Sequence, residues 1–216
     1  AQRAAAWGEV AKRLAHEIRN PLTPIQLSAE RLEMKLTPKL MTQDADFLSR
    51  STSTIITQVA ALKQMVDEFK DYARESTTLS PLHFNDLVRE VAGLYESYPY
   101  IKIQLAESVE TLTIQGDATR LRQVIHNLIK NAQEATQEQT APLVTVRTEE
   151  RQNKLMCTVQ DNGQGFSDDM LAQAFEPYVT SKPKGTGLGL AIIKKIIEEH
   201  HGSIRVYNQK PHGAVI

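Results

Sequence analysis

Two long runs of apolar residues, each returning every third or fourth position, constrain this chain more than any other feature. In the first, Trp7, Val10, Leu14, Ile18, Leu22, Ile25, Ala29, Leu32 and Leu36 keep one phase. In the second, Ala45, Leu48, Thr52, Ile55, Val59, Leu62, Val66, Phe69 and Ala73 do the same. Alternating steps of three and four describe a helix with one apolar stripe to bury. The break at Thr37-Pro38 marks a turn, and Asp44 is placed to cap the second helix. The spacing therefore predicts an antiparallel αα-hairpin over residues 1–75. Each helix carries a coiled-coil-like seam that a lone hairpin would leave wet, so a homodimer closing a four-helix bundle is expected. The alternative is that the hairpin packs on the rest of its own chain.

His16 lies roughly opposite the centre of the first stripe, at about 100° per residue, and so faces water or a partner. Asn20, four residues on, shares its face. Glu17 sits about a quarter-turn round, with a side chain long enough to lean over to the imidazole. Pro21 and Pro24 offer no N–H to the carbonyls of Glu17 and Asn20, so a helix running through both must bend. The stripe keeps its phase to Leu36, which favours that bend over a stop at Asn20. A neutral imidazole is a nucleophile near pH 7, and a carboxylate beside it can take the ring proton as the other nitrogen attacks phosphorus. An isolated His-Glu pair on a helix is usually an ordinary solvated surface, so the weight falls on the remainder of the chain.

Composition narrows the partners. The 216 residues carry 25 basic and 26 acidic side chains, a net charge of −1, which argues against broad binding to nucleic acid or membrane surface. The single cysteine, Cys157, excludes an internal disulfide framework, fits a reducing, cytoplasmic setting and sits in an apolar-alternating run as an inert core residue. No stretch approaches the roughly 18 apolar residues of a membrane span. The opening Ala-Gln-Arg and the end at Gly213-Ala214-Val215-Ile216 lead us to expect a piece of a longer protein.

Residues 76–81 are polar, aperiodic and end in proline, a linker. Beyond it the texture changes to short strands and helices: Leu82–Phe84, a helix capped by Asn85, alternation at Ile101, Ile103, Leu105 and at Leu112, Ile114, then a helix capped by Asp117 running to about Thr136. Val144, Val146 and Leu155, Cys157, Val159 read as two strands joined by a polar turn, followed by a loop, a helix from about Gly187 to His201 and a strand at Ile204–Tyr207. This mixture predicts an α/β two-layer sandwich over residues 82–216, and an α+β chain as a whole.

Three polar clusters stand out in that second domain. Asn127, Asn131 and Glu134 share one face of their helix, against Leu121, Val124, Ile125, Leu128 and Ile129 on the other. Hard oxygen donors of this kind suit Mg²⁺ completed by phosphate and water, although asparagine on a surface helix alone would carry no such meaning. Asp161-Asn162-Gly163-Gln164-Gly165-Phe166 follows a strand; its carboxylate can accept from an exocyclic amino group such as that of adenine, and its glycines permit sharp backbone. Gly185-Thr186-Gly187-Leu188-Gly189 opens a helix, where N–H groups and the dipole favour phosphate. It has neither the Lys-Ser/Thr of a Walker loop nor the strand that a Rossmann turn requires. Ahead of it, Phe175 to Lys184 reads as a lid in which Lys182 or Lys184 could reach a phosphate.

In this order the motifs resemble the catalytic core of bacterial two-component sensor histidine kinases. His16 to Pro21 is similar to the family's phosphoacceptor box, Asn127 to Glu134 to its N box, Asp161 to Gly165 to its first glycine box, Phe175 to Tyr178 to its F box and Gly185 to Gly189 to its second glycine box. The stretch Leu14 to Leu32 is most similar to the NtrY-type nitrogen-regulation sensors. The resemblance implies a dimerisation and phosphotransfer hairpin followed by a Bergerat-type ATP-binding domain. It implies that His16 accepts the γ-phosphoryl of ATP with Glu17 as base, that Asn131 holds Mg²⁺ with Asn127 near the phosphates, and that Asp161, with Gly163 and Gly165, reads adenine. The backbone of Gly185, Thr186, Gly187, Leu188 and Gly189 would wrap the phosphates. It further implies transfer to an aspartate of a response-regulator receiver domain, NtrX-like in this branch, and a part for Asn20 in dephosphorylating that regulator. Membrane spans and sensor modules of an inner-membrane protein would lie upstream. Gly213 to Ile216 departs from the family's Gly-Thr-rich last box, which puts the final strand and its packing near adenine in question. Two further functions fit the same nucleotide fold: a gyrase- or Hsp90-like ATPase clamp with Glu134 activating water, and an inactive kinase acting as a scaffold. His83, His126, His200, His201 and His212 lack such context and read as solvated or packing residues.

Overall fold

The computed structural model describes residues 2–74, 78–110, 112–182 and 185–216, for residues 2–10 and 12 as backbone alone. Trp7 and Val10 of the first stripe, Ser76 and Thr77 of the linker, and Lys184 of the lid therefore lie outside the description. The chain divides into two compact units, one built on the N-terminal helices and one on the sheet. Among the described residues no helix is long and apolar enough to cross a membrane.

The first unit is the expected hairpin. Helix α1 (Gln2–Leu36) runs on through Pro21 and Pro24, a 3₁₀ turn at Thr37–Lys39 reverses the chain, and α2 (Thr42–Ala73) returns. The cap expected at Asp44 is not there: Met41 precedes α2 without a side-chain bond, and Asp44 stands in the first turn, where its charge complements the helix dipole. Small residues let the helices approach. Ala11, Ala15, Leu22 and Ala29 of α1 are buried against α2, which buries Thr52, Val59, Val66 and Ala73. Polar ties fix the register. The Glu33 carboxylate accepts from Ser49 Oγ (2.7 Å) and Thr52 Oγ1 (2.9 Å), which hold its pKa below the usual carboxylate range. Lys63 Nζ donates to Gln26 Oε1 at 2.7 Å, and Arg19 pairs with Asp67.

The stripe read from the sequence as one buried face is in fact split. Its contact with α2 runs along one edge. The other edge, Leu14, Ile18, Ile25, Leu32 and Leu36, is 38–50% exposed in a single copy, as are Ile55 and Leu62 of α2 at 42% and 43%. Between the helices, Pro24, Ile25, Ser28, Ala29, Leu32 and Ile55 line an open apolar groove of about 360 Å³.

In the second unit β1 (Ser80–His83) pairs antiparallel with β3 (Thr113–Gly116), and a separate five-stranded sheet has the order β2-β4-β5-β7-β6. Strand β2 (Ile101–Leu105) is parallel to β4 (Val144–Arg151); β5 (Lys154–Asp161) is antiparallel to β4 through a two-residue turn in which Gln152 and Asn153 both take positive φ, as such hairpins require. Val144, Val146 and Val159 on one sheet face are buried, as are Leu121, Val124, Ile125, Leu128 and Ile129 of α4 (Ala118–Ala135) and Ala191, Ile192, Ile193 and Ile196 of α6 (Gly189–Glu199). Asp117 caps α4 as expected, accepting from the N–H groups of Thr119 and Arg120. Arg120, 1% exposed, reaches Glu199 at 3.7 Å and ties α4 to α6.

Three local expectations change. Asn85 does not cap α3 (Phe84–Gly93); it is fully buried inside it, donating to the Ala106 carbonyl and to Glu110 and accepting from Thr148 Oγ1 at 2.8 Å. The strand expected at Ile204–Tyr207 is the two-residue β6 (Tyr207–Asn208), and a short α5 (Asp168–Ala172), capped by Ser167, interrupts the loop read after β5. The final strand β7 (Ala214–Val215) does form, pairing with both β5 and β6, and Ile216 exchanges two hydrogen bonds with Val159 at 2.8 and 2.9 Å.

Candidate functional site

Helix α4 organises the polar clusters of the sheet unit. Its apolar face is locked in the core, which turns Asn127, Asn131 and Glu134 outward, each half-buried. Glu134 lies 4.0 Å from Lys130 on the next turn back. The first residue of α6 closes on the same face: a Cβ built at Gly189 would lie 3.8 Å from Asn131 Nδ2. Asn131 and Gly189, the first residue of α6, are thus brought together.

Asp161 ends β5 and is 8% exposed. Its Oδ1 accepts two backbone N–H bonds, from Gly163 at 2.8 Å and from Ala214 at 3.2 Å. Burial pushes its pKa up, and those two bonds pull part of the way back. Gly163 presses on the C-terminal end of α4, where an added Cβ would meet the Ala135 carbonyl oxygen at 2.4 Å, so only glycine lets the loop close there. Gly165, at φ +72°, turns the chain toward Asn208 and Gly213.

At the second glycine cluster, Gly187 (φ +71°) accepts at its carbonyl from the Tyr178 N–H at 3.0 Å, which joins the F-box segment to the start of α6. Leu188 is buried directly before α6. Lys182, Gly185 and Thr186 group with the helical unit and not with the sheet unit that holds Asp161; within that stretch Gly185 N–H donates to the Lys182 carbonyl at 3.0 Å.

In the helical unit, His16, Glu17 and Asn20 are all exposed on α1, as the helical phase required. Glu17 does not lean toward the imidazole. Its Oε1 accepts from Arg13 Nε at 3.0 Å, the i,i+4 neighbour on the preceding turn. Among the described residues no three His, Cys, Asp or Glu gather to hold a metal ion. A divalent cation here would rely on an asparagine oxygen, phosphate and water, a donor set that suits Mg²⁺ and that Asn131 fits.

Sequence reasoning missed the contribution of residues 208–214. Ala214 supplies a backbone donor to Asp161, which leaves no side-chain signature. Gly213 (φ +111°) lies so close that an added Cβ would fall 1.9 Å from the Asp161 carbonyl oxygen. Gly213 was the visible signal. Of the remaining histidines, His126 Nδ1 lies 3.0 Å from Tyr95 Oη. His200 bridges α6 and α4, donating from Nδ1 to the Ile196 carbonyl (2.7 Å) and accepting at Nε2 from the Asp117 N–H (2.8 Å).

Residues 6–78 match the His Kinase A (phospho-acceptor) domain, and residues 116–216 match the family described as histidine kinase-, DNA gyrase B- and HSP90-like ATPase. The nitrogen regulation protein NtrY of Azorhizobium caulinodans is 38% identical over 220 residues, 99% of this chain and 28% of its own length. The chain spans 28–36% of the length of the NtrY-type curated relatives it matches. Among solved structures, the catalytic domain of histidine kinase ThkA superposes with a TM-score of 0.57 at 33% identity, covering 64% of this chain and 92% of that one. ThkA in complex with the response regulator protein TrrA gives 0.65 at 30% identity, covering 99% and 61%. The phosphoacceptor hairpin and the ATPase-type sheet domain, in this order and matched together by these relatives, make the chain a member of the sensor histidine kinase family.

Proposed function

We propose that this chain is a kinase core that phosphorylates His16 from ATP and hands the phosphoryl group to an aspartate of a response regulator. The observation that carries the reading is a solvent-facing imidazole on a proline-containing helix, in one chain with a buried aspartate anchored by two backbone N–H groups and an asparagine-bearing helix that meets Gly189 at the start of α6. In the first step an imidazole nitrogen of His16 attacks the γ-phosphorus, the bond to the β,γ-bridging oxygen breaks, and ADP leaves. The proton on the other ring nitrogen passes to Glu17. An exposed ion pair such as Arg13–Glu17 is worth about 0–1 kcal/mol, so the carboxylate is free to turn toward the ring.

Asp161 accepts the adenine amino group, with Gly163 and Gly165 shaping the loop. Gly185, Thr186, Gly187, Leu188 and Gly189 present backbone donors to the phosphates, with Lys182 adding charge. Asn127 lies near the phosphates, and Asn131 would hold Mg²⁺, which when bound offsets their negative charge. In the second step an aspartate oxygen of the regulator attacks phosphorus, and the P–N bond to His16 breaks. Asn20 positions water when the regulator is dephosphorylated. The exposed edge of the hairpin fits a homodimer. Residues 1–75 form the dimerisation and phosphotransfer domain; the linker read as 76–81 ends at Leu79, because Ser80 and Pro81 already belong to β1, and the catalytic domain read as 82–216 begins with that strand. The partner is NtrX-like if the narrower similarity extends to function, and the full-length protein is an inner-membrane sensor.

Incubation with γ-labelled ATP and Mg²⁺ should give an acid-labile, alkali-stable adduct that His16→Gln abolishes. Label retained in that variant would rule out His16 as acceptor. The shared description with gyrase and Hsp90 keeps a second reading in view, an ATPase clamp using Glu134. Steady ATP turnover unaffected by His16→Gln would favour it. Failure to bind ATP with Mg²⁺ at millimolar concentration would leave only a scaffold.

A further inference from the structure

Asn208 stands outside every motif read from the sequence, yet its side chain grips the loop that carries Asp161. Its Oδ1 accepts from the Phe166 N–H at 2.8 Å, and its Nδ2 donates to the Phe166 carbonyl at 2.7 Å. One side-chain amide thus satisfies both backbone groups of one residue, as a neighbouring strand would. The contact is close on the other side too: a Cβ built at Gly165 would lie 2.8 Å from Asn208 Oδ1 and 3.1 Å from the Gly213 carbonyl oxygen.

Asn208 is paired in β6 opposite Ala214 in β7, and the Ala214 N–H donates to Asp161 Oδ1. The Gln209 N–H closes the connection by donating to the Gly213 carbonyl at 2.9 Å. One small strand pair therefore holds the 161–166 segment at both ends, the carboxylate at its start and Phe166 at its finish. We propose that Asn208 is a positioning residue for nucleotide recognition: it fixes the Asp161–Phe166 loop in the shape that a purine nucleotide meets, so that ordering the loop is not charged against binding. This rests on the nucleotide-binding reading above.

The test uses the whole chain and three readouts: the KM for ATP in autophosphorylation, kcat at saturating ATP, and the preference for ATP over ITP, whose base carries a 6-oxo group in place of the amino group. Asn208→Ala removes two exposed neutral hydrogen bonds and should raise KM about five- to tenfold. It should leave kcat unchanged and narrow the ATP/ITP preference by a similar factor, because a loosened loop no longer aims Asp161. A purely structural part for Asn208 would lower the nucleotide-free melting temperature and move neither KM nor the preference, and that result would overturn the proposal. Should the alanine variant not fold, Asn208→Asp keeps the size and the acceptor for Phe166 N–H while setting a carboxylate against the Phe166 carbonyl. It must shift KM and preference in the same direction; no shift would equally overturn the proposal. Asp161→Asn in the same assay separates the two ideas: unaltered ATP use there would sink the nucleotide reading itself, whereas a silent Asn208 variant beside an impaired Asp161 variant would sink only this one.

Discussion

Replacing Asp161 by Asn should weaken nucleotide binding and at the same time stabilise the empty protein. The geometry isolates the effect to one atom. Oδ1 already accepts from Gly163 and Ala214, and an asparagine oxygen can take over both bonds. Among the described residues no hydrogen bond engages Oδ2, the atom that becomes an NH₂. Opposite the adenine amino group, that change sets donor against donor and removes a bond to a charged acceptor, worth about 1.5–3 kcal/mol. The dissociation constant for ADP should rise about ten- to 150-fold, read by titration calorimetry. The stability term has the opposite sign. Burial raises the Asp161 pKa above its ordinary 3.8, so the folded state binds more protons than the unfolded one between 3.8 and that raised value, and stability falls as pH rises through that window. At neutral pH the wild-type carboxylate costs stability that Asn does not. The nucleotide-free variant should therefore melt higher than wild type at pH 7, with the gap closing toward pH 4. A variant that binds ADP within about threefold of wild type, or that melts lower at pH 7, would refute the reasoning.

Three further outcomes are expected. Ile25→Glu combined with Ile55→Glu places charge in the open hairpin groove and should convert a dimer to monomers in light scattering at micromolar concentration; a monomeric wild type would remove the basis for the bundle. Asn85→Ala strands the buried Thr148 hydroxyl and the half-buried Ala106 carbonyl and should lower unfolding free energy by about 2 kcal/mol in urea melts, with a change below about 0.5 counting against the network. Cys157, read from the sequence as a core residue, is only half-buried, yet burial pushes its thiol up to about 12, so at pH 8 a disulfide reagent should react with the native protein far more slowly than with a free thiol; reaction at the free-thiol rate would contradict that.

The long helices and the order of the motifs were legible because period and glycine placement are written in side chains. Asn127, Asn131 and Glu134 followed from helical phase alone, and so did the exposure of His16. What escaped was written in backbone or in three dimensions. The two edges of the α1 stripe are indistinguishable in sequence, since choosing which one meets α2 depends on alanines at 11, 15 and 29 that allow close approach. Two-residue strands such as β6 and β7 have no period to detect. Asn85 looks like a cap because asparagine commonly is one, but Thr148 Oγ1, the Ala106 carbonyl and the Glu110 carboxylate claim its buried amide instead. The Arg13–Glu17 pair could have been foreseen from its four-residue spacing, which competes directly with any approach of Glu17 to the imidazole.

The prolines in α1 have a mechanical consequence. With no N–H at Pro21 or Pro24, the carbonyls of Glu17 and Asn20 lose their intrahelical donors, and two rungs of the ladder within one turn of each other are missing just after His16. A helix missing two rungs bends more easily there than elsewhere, so the stretches on either side can act as two stiff rods, with His16 mounted about one turn from the pivot. With a side-chain radius of about 6 Å, a swivel of about 20° in the upper rod carries the imidazole about 2 Å while the lower rod stays seated. On the proposed reaction, that is the scale on which an in-line approach to phosphorus is either met or missed, so a small twist along the N-terminal rod should change the rate of phosphoryl transfer to His16.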